Sequence, residues 1–297
     1  MKGEILIPVL LSVGSGYLAG RHLRLDTRPI SQLSIYVLMP ALVLAFLQKA
    51  SLGWQDYGLI ALFTLLLTLV MDLVSGFLAK FLGAGSAERS ALQLSAVFMN
   101  SSNYGLPVVL LAFGQAGAER AVVFIVLQLI LLNSLAVFYA ARARQSVRES
   151  LLNILKMPTI WAIVLAFLLR LFQVELPGRV WFTLNMMGQA SIPVMLLTLG
   201  IQLSSTKLAG ELPLIGVASG LRLLLSPLVA VALIYLLGDP RGLTERVLLL
   251  EAAMPTAVTT SLLAIEFEAS PQLVSSIVLV TTVLSFVTIS MLLAWYS

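Results

Sequence analysis

Cysteine is absent from the 297 residues, histidine occurs once, and Asp, Glu, Lys and Arg together make up only 11% of the chain. Without a thiol there can be no disulfide and no thiolate site. The lone His22, in a basic loop, leaves little for acid–base or metal chemistry. No H-E-x-x-H helix, G-x-S-x-G elbow or Walker loop is present, so the usual marks of an intramembrane enzyme are missing and no cofactor is expected. The scarcity of charge also excludes a water-soluble globule of this size, because there is too little polar surface to clothe it. The net charge of +4 is spread over loops, which argues for membrane orientation and against nucleic-acid binding.

What the chain has instead is hydrophobic length: 59% hydrophobic residues and a mean hydropathy of +1.01. Apolar runs recur from end to end, each near the roughly 20 residues that span a bilayer as a helix. The first run, broken by Pro8, has the look of a signal peptide, but the similar runs that follow make it a first membrane helix. Cutting at charged and turn-forming clusters predicts ten spans, at 4–20, 30–48, 58–81, 89–113, 119–141, 157–173, 180–203, 212–237, 244–267 and 271–295. The one sizeable polar linker, 142–156, separates residues 1–141 from 157–297, five spans on each side.

The two halves share landmarks at a nearly constant offset: Pro40 with Pro193, Asn103 with Pro255, and Glu119 with Pro271. An odd number of spans per repeat places the halves in opposite orientations, an inverted repeat of the kind that secondary transporters use. With the N-terminus outside, ten Lys and Arg fall in inner loops against seven in outer segments, and the Arg-rich linker lies inside. The expectation is a multi-pass protein of the cell membrane with both termini extracytoplasmic. Trp54, Trp161, Trp181 and Trp295 fall near span ends, as interfacial indoles do.

Two spans are interrupted. In the fourth, FMNSSNYGLPVVLLAFG (98–114), Asn100, Ser101, Ser102, Asn103 and Tyr104 precede Gly105 and Pro107. Gly and Pro are poor helix-interior residues, and Pro107 removes a backbone donor, so the helix is expected to open at 101–106. Open backbone at membrane depth must be buried in protein or line a cavity. The ninth span carries Met254, Pro255 and Thr256 at the equivalent depth, followed by Thr259 and Thr260. One such break alone reads as a kink with polar glue between helices. Two at equivalent positions predict half-helices crossing near the midplane. Their N-termini would attract an anion, around 104–108 and 256–258, and their C-termini a cation or proton.

Three ionisable residues lie deep in predicted spans: Asp72, Arg222 and Glu251. Such residues need a partner or a function. The repeat offset carries Asp72 close to Arg222, so the two are candidates for a structural ion pair. Alternatively Arg222 complements a substrate carboxylate. Glu251, beside the second break and without a cation at helical pitch, is the better candidate for exchanging a coupling proton.

The ten spans, the central basic linker and the NSSNYGLP and EAAMPTAV breaks resemble the auxin efflux carrier family in its short form, over the whole chain. The resemblance implies a scaffold of spans 1, 2, 6 and 7, a homodimer, and a mobile domain of spans 3–5 and 8–10 moving as an elevator. It implies a crossover of Asn100, Asn103, Tyr104 and Pro107 with Met254, Pro255 and Thr256, and efflux of a small organic anion such as a carboxylate. Sodium-dependent relatives of this fold surround the crossover with acidic and amide ligands. Here Glu251 is the one carboxylate beside a break, which favours proton coupling or uniport.

Overall fold

A computed structural model describes residues 6–48, 50, 52–140, 156–209 and 211–295. The central linker, apart from Lys156, and the extreme termini lie outside the described residues. Among the described residues the protein is all-α, and a helix lies in each of the ten segments cut from the sequence. These are α1 (Leu6–Leu23), α2 (Thr27–Gln48), α3 (Trp54–Phe81), α4 (Ser86–Val97) and the run Leu106–Ala140, which Gly114, at φ 66°, divides into α5 (106–113) and α6 (115–140). There follow α7 (Pro158–Leu171), α8 (Gly178–Ser205), α9 (Leu212–Leu237), α10 (Leu243–Ala252), α11 (Thr259–Glu266) and α12 (Pro271–Trp295). Among the described residues, six stretches are long and apolar enough to cross a membrane: α2, α3, Ser101–Leu135, α8, α9 and α12.

The side chains face the way a bilayer dictates. On α3, Leu65, Leu69, Leu73 and Phe77 recur every fourth residue and are exposed, while Ile60, Phe63, Leu67 and Met71 are fully buried. On α12 the exposed stripe is Val283, Val287 and Met291, and the buried face carries Thr281, Thr282 and Ser285. In water such stripes would forfeit about 25 cal/mol for every Å² of apolar surface left uncovered. In lipid they are the natural exterior, and the hydroxyls turn inward to bond carbonyls of their own helix: Thr281 Oγ1 donates to Ile277 O at 2.7 Å and Thr282 Oγ1 to Val278 O at 2.7 Å.

Three prolines share one local device. The wide π turns Ser34–Leu38, Ser101–Gly105 and Leu221–Leu225 each end two residues before a proline, namely Pro40, Pro107 and Pro227. A proline ring collides with the carbonyl four residues earlier and supplies no N–H. In each case that carbonyl lies within the π turn, whose extra width relieves the collision while the helix continues.

Helix packing separates two groups. α1 lies along α8, and α2 against α7 and α8. The α1–α8 approach is close because Gly16 and Gly200 have no side chain: a Cβ on Gly16 would lie 2.2 Å from Leu197 O, and one on Gly200 2.0 Å from Val13 O. In the other group α3 packs on α4, α6 and α9, α10 packs on α9 and the Leu106–Ala140 run, and α12 packs on α4, α9 and α11. The groups meet where the π turn Ser101–Gly105 touches α8 and where α2 touches the Leu106–Ala140 run. They also meet at Arg170 of α7, which donates to Tyr57 Oη at 3.1 Å and to Leu52 O at 2.5 Å. A ring cluster of Trp54, Tyr57 and Phe167 adjoins that contact.

Candidate crossover site

The two interrupted spans meet. Met99 and Thr256 form an antiparallel bridge, in which Asn100 N donates to Pro255 O at 2.7 Å and Ala257 N to Phe98 O at 3.0 Å. Each break thus satisfies backbone groups that the other exposes, as a low-dielectric interior requires. Thr256 adds two bonds of its own: its hydroxyl donates to Ser95 O at 2.9 Å, and its N–H to Thr281 Oγ1 at 3.2 Å.

The opening lies earlier than 101–106. The chain leaves the helix after Val97, runs extended through Phe98 (φ −98°, ψ 120°), and re-enters at Ser101 in the π turn. Pro107 widens the turn but does not open it, and pairing with the second break draws residues 98–100 out of the helix. Tyr104 N and Gly105 N already donate to Asn100 O, at 3.3 and 2.9 Å. Tyr104, Gly105, Leu106, Pro107 and Val108 are all buried, so the anion position expected at 104–108 is inside the packing. The accessible part of this helix start is Ser102 and Asn103, both half-buried, where the first turn leaves N–H groups without intrahelical acceptors. In the second break Met254, Pro255 and Thr256 are buried, Val258 is half-buried and Thr259 exposed.

Arg222 is fully buried and reaches both first half-helices at their C-termini. Nη1 donates to Ala96 O at 2.7 Å and Val97 O at 3.4 Å, both at the end of α4. Nη2 donates to Ala252 O at 2.5 Å, at the end of α10, and to the Ser226 hydroxyl, which in turn donates to Ala252 O at 2.9 Å. Hydrogen bonds from a charged donor contribute roughly 1.5–3 kcal/mol each, and here they also neutralise the negative ends of two helix dipoles. Asp72 is not among its partners. Asp72 is half-buried on α3 and accepts from Gln93 Nε2 at 2.8 Å.

Glu251 is fully buried, with its carboxylate against the main chain of Gly105 in the other break. A Cβ on Gly105 would lie 2.4 Å from Oε2, so a side chain at this position would displace the carboxyl. Ser101 is the polar side chain beside it, but neither Ser101 Oγ nor either carboxylate oxygen completes a hydrogen bond of ordinary geometry. Asn100 Nδ2 and Tyr104 Oη are likewise buried without one, and the Tyr104 ring packs on Phe286 at 5.6 Å between centroids. The structure therefore brings Asn100, Ser101, Tyr104, Gly105, Met254, Pro255, Thr256, Arg222 and Glu251 around one crossing, with Asn103 at its accessible edge and Asp72 elsewhere.

Ser226, Ser95 and Thr281 belong to the same cluster and carry no motif. Only the placement of Ser226 one turn after Arg222 hints at its role. At one end of the bundle a second polar cluster ties α3, α6 and α10 together: Arg120 meets Asp56 at 3.7 Å, and Thr244 Oγ1 donates to Asp56 at 2.5 Å while accepting from Arg120 Nε at 2.7 Å.

A family profile described as membrane transport protein matches residues 4–293. The chain belongs to this family. It is the auxin efflux carrier family to which the two break motifs point. Over 290 residues the chain is 29% identical to an uncharacterised transporter of Methanothermobacter thermautotrophicus, covering 96% of this chain and 95% of that one. Over 298 residues it is 26% identical to an uncharacterised transporter of Methanocaldococcus jannaschii, covering 97% and 96%. The protein is a membrane transporter of this family, and both relatives align with it across crossover, linker and flanking helices alike.

Proposed function

We propose that the protein is a secondary carrier for a small organic anion, a carboxylate above all, working by alternating access through an elevator movement. The observation that carries this reading is the pairing of the two breaks at Met99 and Thr256, flanked by the buried polar side chains of Asn100, Ser101 and Glu251. A buried polar group left unsatisfied costs about 1–3 kcal/mol. A purely structural crossing would have no reason to retain Asn100, Ser101 and Glu251 together. In a carrier they serve the solute and its coupling proton.

The anion binds at the accessible helix start, to Ser102 and Asn103. Glu251 takes up and releases the proton that accompanies it. The group comprising α3–α6 and α9–α12 holds the crossover and moves as one body, while α1, α2, α7 and α8 stand still. The few contacts between these groups, against dense packing within each, support that division. The nearly constant offset that pairs Pro40 with Pro193, Asn103 with Pro255 and Glu119 with Pro271 supports descent from an inverted repeat.

The test is counterflow in proteoliposomes with a panel of mono- and dicarboxylates, under imposed proton and sodium gradients. Saturable counterflow that Asn103→Ala reduces at least tenfold fits the reading. Unitary currents without saturation would make the protein a channel instead.

A further inference from the structure

The negative ends of two helices already hold a cation that belongs to the chain. The Arg222 guanidinium bonds to Ala96 O, Val97 O, Ala252 O and the Ser226 hydroxyl. It is fully buried, and none of these partners is a carboxylate. The donor set is therefore three carbonyls and a hydroxyl from α4, α10 and α9, all neutral oxygens. Hard cations favour ligands of this kind. Half-helix C-termini and unwound carbonyls are also where transporters with broken helices coordinate sodium.

We propose that Arg222 is a tethered cation standing where a free alkali-metal ion would otherwise be held, so that this carrier works without sodium. The inference rests on reading the crossing as the transport site, and adds to it the exclusion of one coupling ion and the residue responsible. A guanidinium suits the position because its planar fork reaches two helix ends at once. It also remains on α9 through every cycle, so the two C-termini never require an ion from solution. The same geometry commits four of its five N–H groups to the carbonyls and Ser226, and the fifth, on Nε, is buried without a partner.

Two consequences separate this role from that of an ordinary buried arginine. Wild-type protein should respond to sodium no differently from any other salt. Removal of the side chain should leave a cavity walled by the same oxygens, into which a small cation can bind.

The experiment measures thermal unfolding of purified wild type, Arg222→Ala and Arg222→Lys by tryptophan fluorescence, in sodium chloride, choline chloride or low-millimolar guanidinium chloride. Ionic strength is held constant, and urea at the guanidinium concentration is the neutral control. We expect wild-type Tm to be the same in sodium and choline. Arg222→Ala should lose several degrees and regain part of them saturably with guanidinium but not with urea, as binding linkage requires. Arg222→Lys should fall between the two and remain indifferent to sodium.

Sodium-specific stabilisation of the wild type overturns the proposal, as does an Arg222→Ala protein as stable as wild type without added cation, or one that guanidinium fails to stabilise. If Arg222→Ala cannot be purified, sodium-specific stabilisation of either wild type or Arg222→Lys still overturns the proposal, as does an Arg222→Lys protein as stable as wild type. None of these arms needs a transported solute, so failure to find a substrate leaves the outcome intact. In liposomes that do show counterflow, replacing sodium by choline should change the rate less than twofold.

Discussion

The carboxylate of Glu251 rests on Gly105, a residue of the other break, closely enough that a methyl group at Gly105 would lie 2.4 Å from Oε2. Two spans from opposite halves of the chain therefore interlock through one side chain and one missing side chain. Gly105→Ala should push the carboxyl aside and destabilise the protein by about 1–3 kcal/mol, the usual cost of overpacking. In a Glu251→Ala background the same substitution should be nearly neutral. A double-mutant cycle of unfolding midpoints checks this, and additive effects would show that the two residues do not meet.

Glu251→Gln keeps the size of the side chain but cannot exchange a proton. Flux through this variant should lose whatever pH dependence wild-type flux shows, while purified yield stays close to wild type. Counterflow measured as a function of pH gives the answer. A pH profile unchanged from wild type would remove Glu251 from the coupling step.

Thr256→Val preserves shape and removes the hydroxyl that donates to Ser95 O at 2.9 Å in a fully buried setting. The unfolding free energy should drop by about 1–2 kcal/mol, since an acceptor is left unpaired. Thr259→Val, on an exposed residue three positions further on, should leave the midpoint where it was.

The absence of cysteine makes the crossing directly testable. In the antiparallel bridge, Met99 and Thr256 form the closer kind of facing pair, with Cα atoms about 4.5 Å apart, inside the range a disulfide spans. A Met99→Cys/Thr256→Cys double variant should oxidise nearly completely, with no background from other thiols. Met99→Cys paired with Thr259→Cys should not. The readout is the gel mobility of a protein cleaved by a protease in the central linker.

Much of this arrangement is legible without coordinates, and the exceptions have a common cause. Pro107, Gly105 and Pro255 announce the breaks because backbone chemistry leaves a residue-type signature. The lipid-facing stripe of Leu65, Leu69, Leu73 and Phe77 shows in its spacing. Arg222 is legible as a costly buried charge but not as a cap, because its partners are main-chain carbonyls that any residue supplies. Hence the pairing with Asp72 suggested by the repeat offset does not occur. The displaced opening, at 98–100 instead of 101–106, has a related origin: pairing with a distant segment decides where the helix yields, and local propensity gives only the neighbourhood.

Counterflow asks most directly whether the crossing holds the solute. Wild-type protein and Asn103→Ala are reconstituted side by side, and exchange of labelled mono- and dicarboxylates is followed against unlabelled solute. Asn103 is half-buried at the accessible helix start, so its truncation should cost at least tenfold in exchange with little change in unfolding midpoint. If every carboxylate that wild type exchanges is exchanged equally fast by Asn103→Ala, the crossing is not where the solute is held.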